Sequence, residues 1–325
     1  MAKPPCSLSL DLDNQWSYMK THGDRGWEAF PSYLDVVVPR VVEFLAKWEW
    51  TITVFVVGQD AALESNREAL SALSAAGHEV GNHSFHHEPW LHLYSESETE
   101  QEIARGEEAI EAATGQRPHG FRGPGYSISG PTLRILARRG YVYDASTLPT
   151  FLGPLARAYY FLTSDLKGED RVRRKALFGG LRDGLRPVRP YRWQLEDRQL
   201  LEIPVTTMPI VRMPFHFSYL LYLSTFSIGL AVLYFKTALW MCRVTGTEPS
   251  LLLHPLDFLG SADVSELGFF PGMKLDSSRK LGLLDRLFRE LQRQHTVVSV
   301  GEHARRLQER GRLRVYTPGD LNLIA

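Results

Sequence analysis

The chain has 325 residues, 44% hydrophobic and 23% charged, enough to bury a substantial core in one large domain. Its 37 basic residues balance 37 acidic ones, so no whole-molecule field exists to recruit nucleic acid, and charge-based recognition has to be local. With only Cys6 and Cys242, and no basic, apolar leader before the first strand-like run, the expectation is a cytoplasmic protein without structural disulfides.

In chain order, short apolar runs at 6–13, 51–58, 78–83, 120–123, 141–145, 200–206, 250–254 and 296–300 predict strands. Amphipathic stretches at 32–48, 61–75, 97–114, 131–138, 277–294 and 302–310 predict the helices between them. Gly115, Gly140 and Gly301 fall where helices or strands should stop. This alternation predicts an α/β fold, a distorted (β/α)7–8 barrel, with its chemistry at the C-terminal ends of the strands.

The whole of 1–325 reads as one catalytic domain with two insertions, at about 151–199 and 207–248. The first ends in a basic stretch where Arg171, Arg173, Arg174, Lys175, Arg182, Arg186, Arg189 and Arg192 face only Asp183. The second contains the uncharged run 217–235, rich in Leu, Phe and Tyr.

Asp11 and Asp13 end the first strand two residues apart, so in a regular strand both side chains face one site. His83 and His87 follow the third strand four residues apart and share a face if the segment makes one helical turn. Two imidazoles and a carboxylate form a zinc-type ligand set that leaves a position open; with Asp13 as ligand, Asp11 is free to act as a base. The glycines of Arg122-Gly-Pro-Gly-Tyr126 let backbone N–H groups approach a substrate, and Arg122 can fix a nearby carboxylate. Asp144 and His254 end two further strands, and such a pair can make an oriented acid for a leaving amine. Singly, each reads as a helix cap or a satisfied structural residue; together they all fall on the face where such barrels keep their sites.

These segments resemble the motifs of the polysaccharide deacetylases with the NodB-homology domain, family 4 of the carbohydrate esterases. Ser-Leu-Asp11-Leu-Asp13 is similar to the first motif, His83-Ser-Phe-His-His87 to the second, and Phe-Arg122-Gly-Pro-Gly-Tyr, Tyr-Asp144-Ala-Ser and Leu-Leu-His254-Pro to the third, fourth and fifth, over roughly residues 6 to 300. The resemblance implies Asp11 as catalytic base, Asp13, His83 and His87 as ligands of one divalent metal ion, Arg122 orienting Asp11, and Asp144 tuning the general acid His254. Zinc is the first expectation for the ion, with cobalt, nickel or manganese as alternatives. Gly125 stands where the family has a Tyr, with Tyr126 next, so the oxyanion donor falls on one of these two; His86, outside the motif, is left as a structural or substrate-contact residue.

The implied activity is removal of an acyl group from an N-acylated sugar. The run 217–235 is nearly long enough to span a bilayer, but one crossing there would put His254 on the opposite side from Asp11, His83 and His87. An interfacial element or a buried lid remains. Joined to the basic segment, the interfacial reading suggests a lipid-phosphate-linked glycan precursor as substrate and a peripheral position at the inner face of the membrane. Two rival readings are a small-amide or cyclic-ureide hydrolase of the same fold and a catalytically inactive glycan- or glycolipid-binding protein.

Overall fold

The computed structural model describes residues 3–152, 181–270, 272–321 and 323. Arg171, Arg173, Arg174 and Lys175 of the basic stretch lie outside the described residues.

Strand β1 (Pro5–Leu12) alternates apolar and polar residues yet is buried along its whole length. Cys6, Leu8, Leu10 and Leu12 enter the main core with helix α2 (Leu34–Ala46), whereas Ser7, Ser9 and Asp11 occupy the opposite, equally buried face. Small polar residues on that face leave room for the buried side chains of Arg122 and His303, which bond to Ser9 and Ser7.

Around β1 the sheet is almost wholly parallel. β2 (Thr53–Val56), β3 (Glu79–Asn82), β4 (Gly120–Phe121) and β5 (Tyr143–Asp144) follow in order on one side, and β8 (Ser250–Leu253) lies on the other. β9 (Thr296–Val298) pairs with the start of β1. Beyond β5 come β7 (Arg198–Glu202), β6 (Tyr191–Leu195) and β10 (Val315–Tyr316), with β6 and β7 forming the one antiparallel pair among the described strands. Among the described residues no pairing joins β8 to β10, so the ring expected from the sequence is not hydrogen-bonded closed. Strand register brings the ends into line: Asp11 is opposite Phe55, Asn82 opposite Phe121, Phe121 opposite Asp144, and Leu10 opposite Leu253.

The helices begin and end where local chemistry asks. α5 (Glu96–Thr114) starts with a capping box between Ser95 and Glu98, and α6 (Gly130–Arg139) is capped by Ser129 and stopped by left-handed Gly140. The second insertion forms α7 (Phe217–Ser224) and α8 (Ile228–Thr245), followed by α9 (Ser277–Gln294) and α10 (Val300–Arg310).

Some expectations change. Gly301 stops nothing: it sits in the first turn of α10, where its N–H donates to Glu79 Oε2 at 2.8 Å and an added Cβ would come within 2.3 Å of that carboxylate. Residues 191–199, read from sequence as the tail of an insertion, build a sheet hairpin instead, because Tyr191, Trp193 and Leu195 alternate into a second core cluster. Short α1 (Gln15–His22), with Asn14 as its cap, has so small an apolar stripe that periodicity does not reveal it.

Candidate active site

Asp11 points from the polar face of β1 and Asp13 follows the strand by one residue, only 5% and 8% exposed. Arg122, fully buried after β4, gives Nη1 to Asp11 Oδ1 at 2.6 Å and to Ser9 Oγ at 2.8 Å, and Nε to the Ala145 carbonyl at 2.9 Å. Its guanidinium lies 4.3 Å from the centre of the Phe55 ring. A charge held on three sides this way fixes the Asp11 carboxylate, and removing either partner would strand a buried ion.

His83 and His87 converge without the helical turn considered from their spacing. Residues 83–87 form an irregular loop in which Ser84 (φ 61°) and His87 (φ 52°) take left-handed conformations. Glu102 of α5 holds this loop by accepting the N–H groups of Phe85 and His86 at 3.2 and 2.9 Å. It also pairs with the His86 ring, which gives that residue a structural partner.

His83 Nδ1 donates to the Arg122 carbonyl at 2.6 Å, which turns Nε2 toward Asp13 Oδ1, 3.4 Å away; with an ion held there the ring would be neutral and offer it that lone pair. His87 Nε2 lies 3.0 Å from the same oxygen. The three ligand atoms fall within 4.8 Å of one another, and Asp13 Oδ1 is buried without a hydrogen-bond partner. Lone pairs facing one another in a buried site repel unless a cation lies between them, so one divalent ion on an N2O donor set fits these residues. In the metal-free chain burial pushes the Asp13 carboxyl up, but His87 and His83 together outweigh it and hold it well below the carboxylate range.

Behind Asp13 stands a support that the sequence reading missed. Asp60 Oδ1 accepts from Asn14 Nδ2 at 2.7 Å and Trp16 Nε1 at 2.9 Å, and Tyr33 donates its hydroxyl to the Asp13 carbonyl. Burial drives Asp60 up to about 7; Asn14 and Trp16 oppose the rise and the charge of Asp13 adds to it.

In the third motif, Gly125 (φ 58°) and Tyr126 (φ 62°) are both left-handed. The Tyr126 amide closes the turn on the Gly123 carbonyl at 3.0 Å, which leaves Gly125 as the candidate oxyanion donor of the two. The Tyr126 phenol is raised by burial and then by the charge of Asp11.

His254 ends β8 as expected, but its support differs. Ser218 Oγ of α7 lies 2.9 Å from Nδ1, and Asp257 Oδ2 accepts the His254 backbone N–H at 2.8 Å. Asp144, expected to tune His254, is engaged elsewhere: it accepts from Ser146 Oγ at 2.6 Å and shares a hydrogen bond with Glu202, its register partner on β7. Glu202 in turn accepts from Thr147 Oγ1 at 2.6 Å and Trp193 Nε1 at 2.9 Å. Burial raises both acids of this pair. On the described sheet path β4, β3, β2 and β1 stand between β5, which carries Asp144, and β8, which His254 follows. Asp257 was legible as the acid three residues after His254; Glu202 and Ser218 are paired with the site only in space.

These features define a NodB-type α/β scaffold with a candidate cation site at its strand ends. Comparison with known proteins agrees: the polysaccharide deacetylase family model matches residues 24–143 of this chain. It is 28% identical over 171 residues to a peptidoglycan deacetylase of Helicobacter pylori, covering 50% of this chain and 55% of that one. A peptidoglycan deacetylase-like protein of Gibberella zeae is 32% identical over 110 residues, 34% of this chain and 30% of its own length. The chain therefore spans little more than half of the first relative and less than a third of the second. A solved structure from Mycobacterium smegmatis, assigned as a polysaccharide deacetylase, superposes with a TM-score of 0.64 at 18% identity, over 97% of this chain and 94% of that one, which supports the fold. The family match begins after Asp13 and ends before Asp144, so the base, one ligand and the acid rest on the motifs and the geometry.

Proposed function

We propose that this protein is a metal-dependent N-deacylase that hydrolyses the amide of an N-acetylated sugar. The observation that carries the reading is the convergence of Asp13, His83 and His87 beside an Asp11 carboxylate clamped by Arg122. Asp13, His83 and His87 would hold a divalent ion, which would lower the pKa of its water toward about 7 and polarise an acyl oxygen, with zinc the first choice and cobalt, nickel or manganese the alternatives. Asp11, oriented by Arg122, takes the proton of the attacking water. The Gly125 N–H supports the developing oxyanion, and one such donor is worth about 3 kcal/mol of barrier. His254, acting as the imidazolium, gives the departing amine its Nε2 proton and is left as the neutral ring protonated at Nδ1. A glycan-binding protein that does no chemistry has no use for Asp11 or His254, and a cyclic-ureide hydrolase has less need of a complete ligand set.

For the finer substrate, the relatives' printed names point to peptidoglycan, whereas a feature of this chain favours a lipid-linked glycan met at the inner face of the membrane. Helix α8 buries Ala231, Val232, Phe235, Ala238, Leu239 and Cys242 and turns Leu230, Leu233, Trp240 and Val244 outward, 49%, 62%, 58% and 63% exposed. It has the length and apolarity to cross a membrane, but its inner face belongs to the main core, so we read it as lying along the interface. At the C-terminal end of α7 lies a groove of about 320 Å3, lined by Tyr222, Phe269, Phe270 and Lys274, and Phe270 packs edge-on against Tyr18, whose phenol lies beside Asp13.

The test is acetate release, followed by mass spectrometry, from N-acetylglucosamine oligomers and from a polyprenyl-phosphate-linked N-acetyl sugar. The expected result is turnover that chelation abolishes and zinc or cobalt restores, with the lipid-linked substrate preferred. Loss of the lipid preference would return the reading to a soluble glycan, and absence of turnover on every N-acyl sugar with the ion bound would overturn it.

A further inference from the structure

The second insertion interrupts the barrel rhythm with two apolar helices, and its first helix reaches the strand-end site. α7 sinks Phe217, Leu220 and Leu221 into the core and places Ser218 against β8. The Ser218 hydroxyl lies 2.9 Å from His254 Nδ1 and also hydrogen-bonds the carboxyl of Asp257, which is 2% exposed. Asp257 also accepts the His254 backbone N–H, so acid and histidine are bonded twice, once directly and once through the serine.

A hydroxyl has one proton to give. Asp257 as a carboxylate can only accept, so the Ser218 proton goes to it and the Ser218 lone pair receives Nδ1–H. Burial raises Asp257, while His254, Ser218 and the nearby Lys280 draw it back toward the ionised form. Lys280 is itself pinned beneath the site by the carbonyls of Leu256 and Leu259 at 2.7 and 2.6 Å. His216, whose ring centre is 6.1 Å from that of His254, is driven down to about 3 by burial and then by His254, so it brings no competing charge at neutral pH.

We infer that Ser218 is a positioning residue for His254: it accepts Nδ1–H, anchors to Asp257, and so holds the imidazole with Nε2 toward the leaving amine. This rests on the deacylase reading for its purpose but not for its geometry. The tuning role that the family resemblance implies for Asp144 is thus proposed for residues of the insertion and of the 255–257 turn. It also makes the seat of α7, and through it the exposed α8, a determinant of the acid's orientation.

The experiment is ring nitrogen-15 NMR of the full chain at neutral pH, with the His254 signal identified by its loss in His254→Gln. The wild type is expected in the Nδ1–H tautomer, Ser218→Ala shifted toward Nε2–H, and Ser218→Thr, which keeps the hydroxyl, returned to the wild-type pattern. On a soluble N-acetyl oligomer, Ser218→Ala should lose about tenfold in kcat with KM within about twofold, and Ser218→Thr should recover most of it. An unchanged tautomer in Ser218→Ala, or equal losses in the Ala and Thr variants, would overturn the inference. The tautomer measurement needs no turnover, so a chain with no deacylase activity but the expected shifts would sink the functional reading and leave the relay standing.

Discussion

At the strand ends Asp11, Arg122 and Asp144 are 5%, 0% and 0% exposed, whereas on the outer side of α8 Leu233, Trp240 and Val244 are 62%, 58% and 63% exposed. The two regions depart in opposite directions from the ordinary partition of charge to the surface and apolar side chains to the interior. Each departure has a cost. The buried charges are kept by pairing, most clearly Arg122 with Asp11, and Asp13 with His87 and His83. The exposed apolar stripe has no such internal remedy and calls for a partner outside the chain. In the proposed reading the first region carries chemistry and the second recognition, and Ser218, within hydrogen-bond distance of His254, joins them.

The sharpest way to break the site half of this comparison is His83→Ala. It removes one of three ligands from a chelate already strained at Ser84 and His87, so both bound metal and turnover should fall below detection. Metal analysis beside the activity assay decides, and retention of both would refute the ligand set. Asp11→Asn comes next. An amide cannot take a proton from water, while Asp13, His83 and His87 still hold the ion, so kcat should drop about 10³-fold with metal content unchanged. Equal metal loss in Asp11→Asn and Asp13→Asn would mean that base and ligand have been exchanged.

Much of the site was legible because strand ends and helix caps write themselves locally. Asp-Leu-Asp, His-Ser-Phe-His-His and Leu-Leu-His-Pro each close an apolar run, and a run of period two already says which side chains share a face. What sequence could not supply was pairing across the fold. Asp144 meets Glu202 through the register of β5 with β7, and His254 meets Ser218 through the seating of α7; both contacts join residues more than 30 positions apart. The hairpin of β6 and β7 was hidden behind the basic stretch, whose charges masked the alternation of Tyr191, Trp193 and Leu195. Asp60 carried no motif, and its role comes from standing behind Asp13 with Asn14 and Trp16.

Asp60 therefore offers a test of the buried half that does not involve turnover. Its folded value of about 7 stands above the unfolded carboxyl, near 4, so its stabilising contribution is complete below about pH 4 and is lost as the pH rises to about 7. Ionising it costs on the order of 3–4 kcal/mol across that window, and Asp60→Asn should remove this slope whatever it does to absolute stability. Denaturant midpoints at pH 5 and pH 8 measure it; parallel lines for the wild type and the variant would show that Asp60 does not titrate where its burial places it.

The exposed half is sharpened by Leu233→Ser with Trp240→Ser. Inserting each side chain into a lipid interface is worth about 1.5 kcal/mol or more, so the pair should weaken binding to vesicles by about two orders of magnitude without altering kcat on a soluble oligomer. Flotation with anionic and with neutral vesicles is the measurement, and unchanged binding would return α8 to the role of an ordinary surface helix.

The smallest expected effect separates the charge part of that recognition from the apolar part. Among the described residues of α8 the cations are Lys236 and Arg243; Lys236 lies 3.3 Å from Glu290 of α9 and is partly neutralised there, while Arg243 sits in the last turn beside exposed Val244. A cation near an anionic surface contributes about 1 kcal/mol, so Arg243→Gln should loosen binding to anionic vesicles about fivefold. Because the interaction is screened over about 8 Å at physiological salt, that difference should shrink as salt is raised, and neutral vesicles should not distinguish the variant from the wild type. Equal weakening on anionic and neutral vesicles would mean that Arg243 acts by covering apolar surface with its stem rather than by charge.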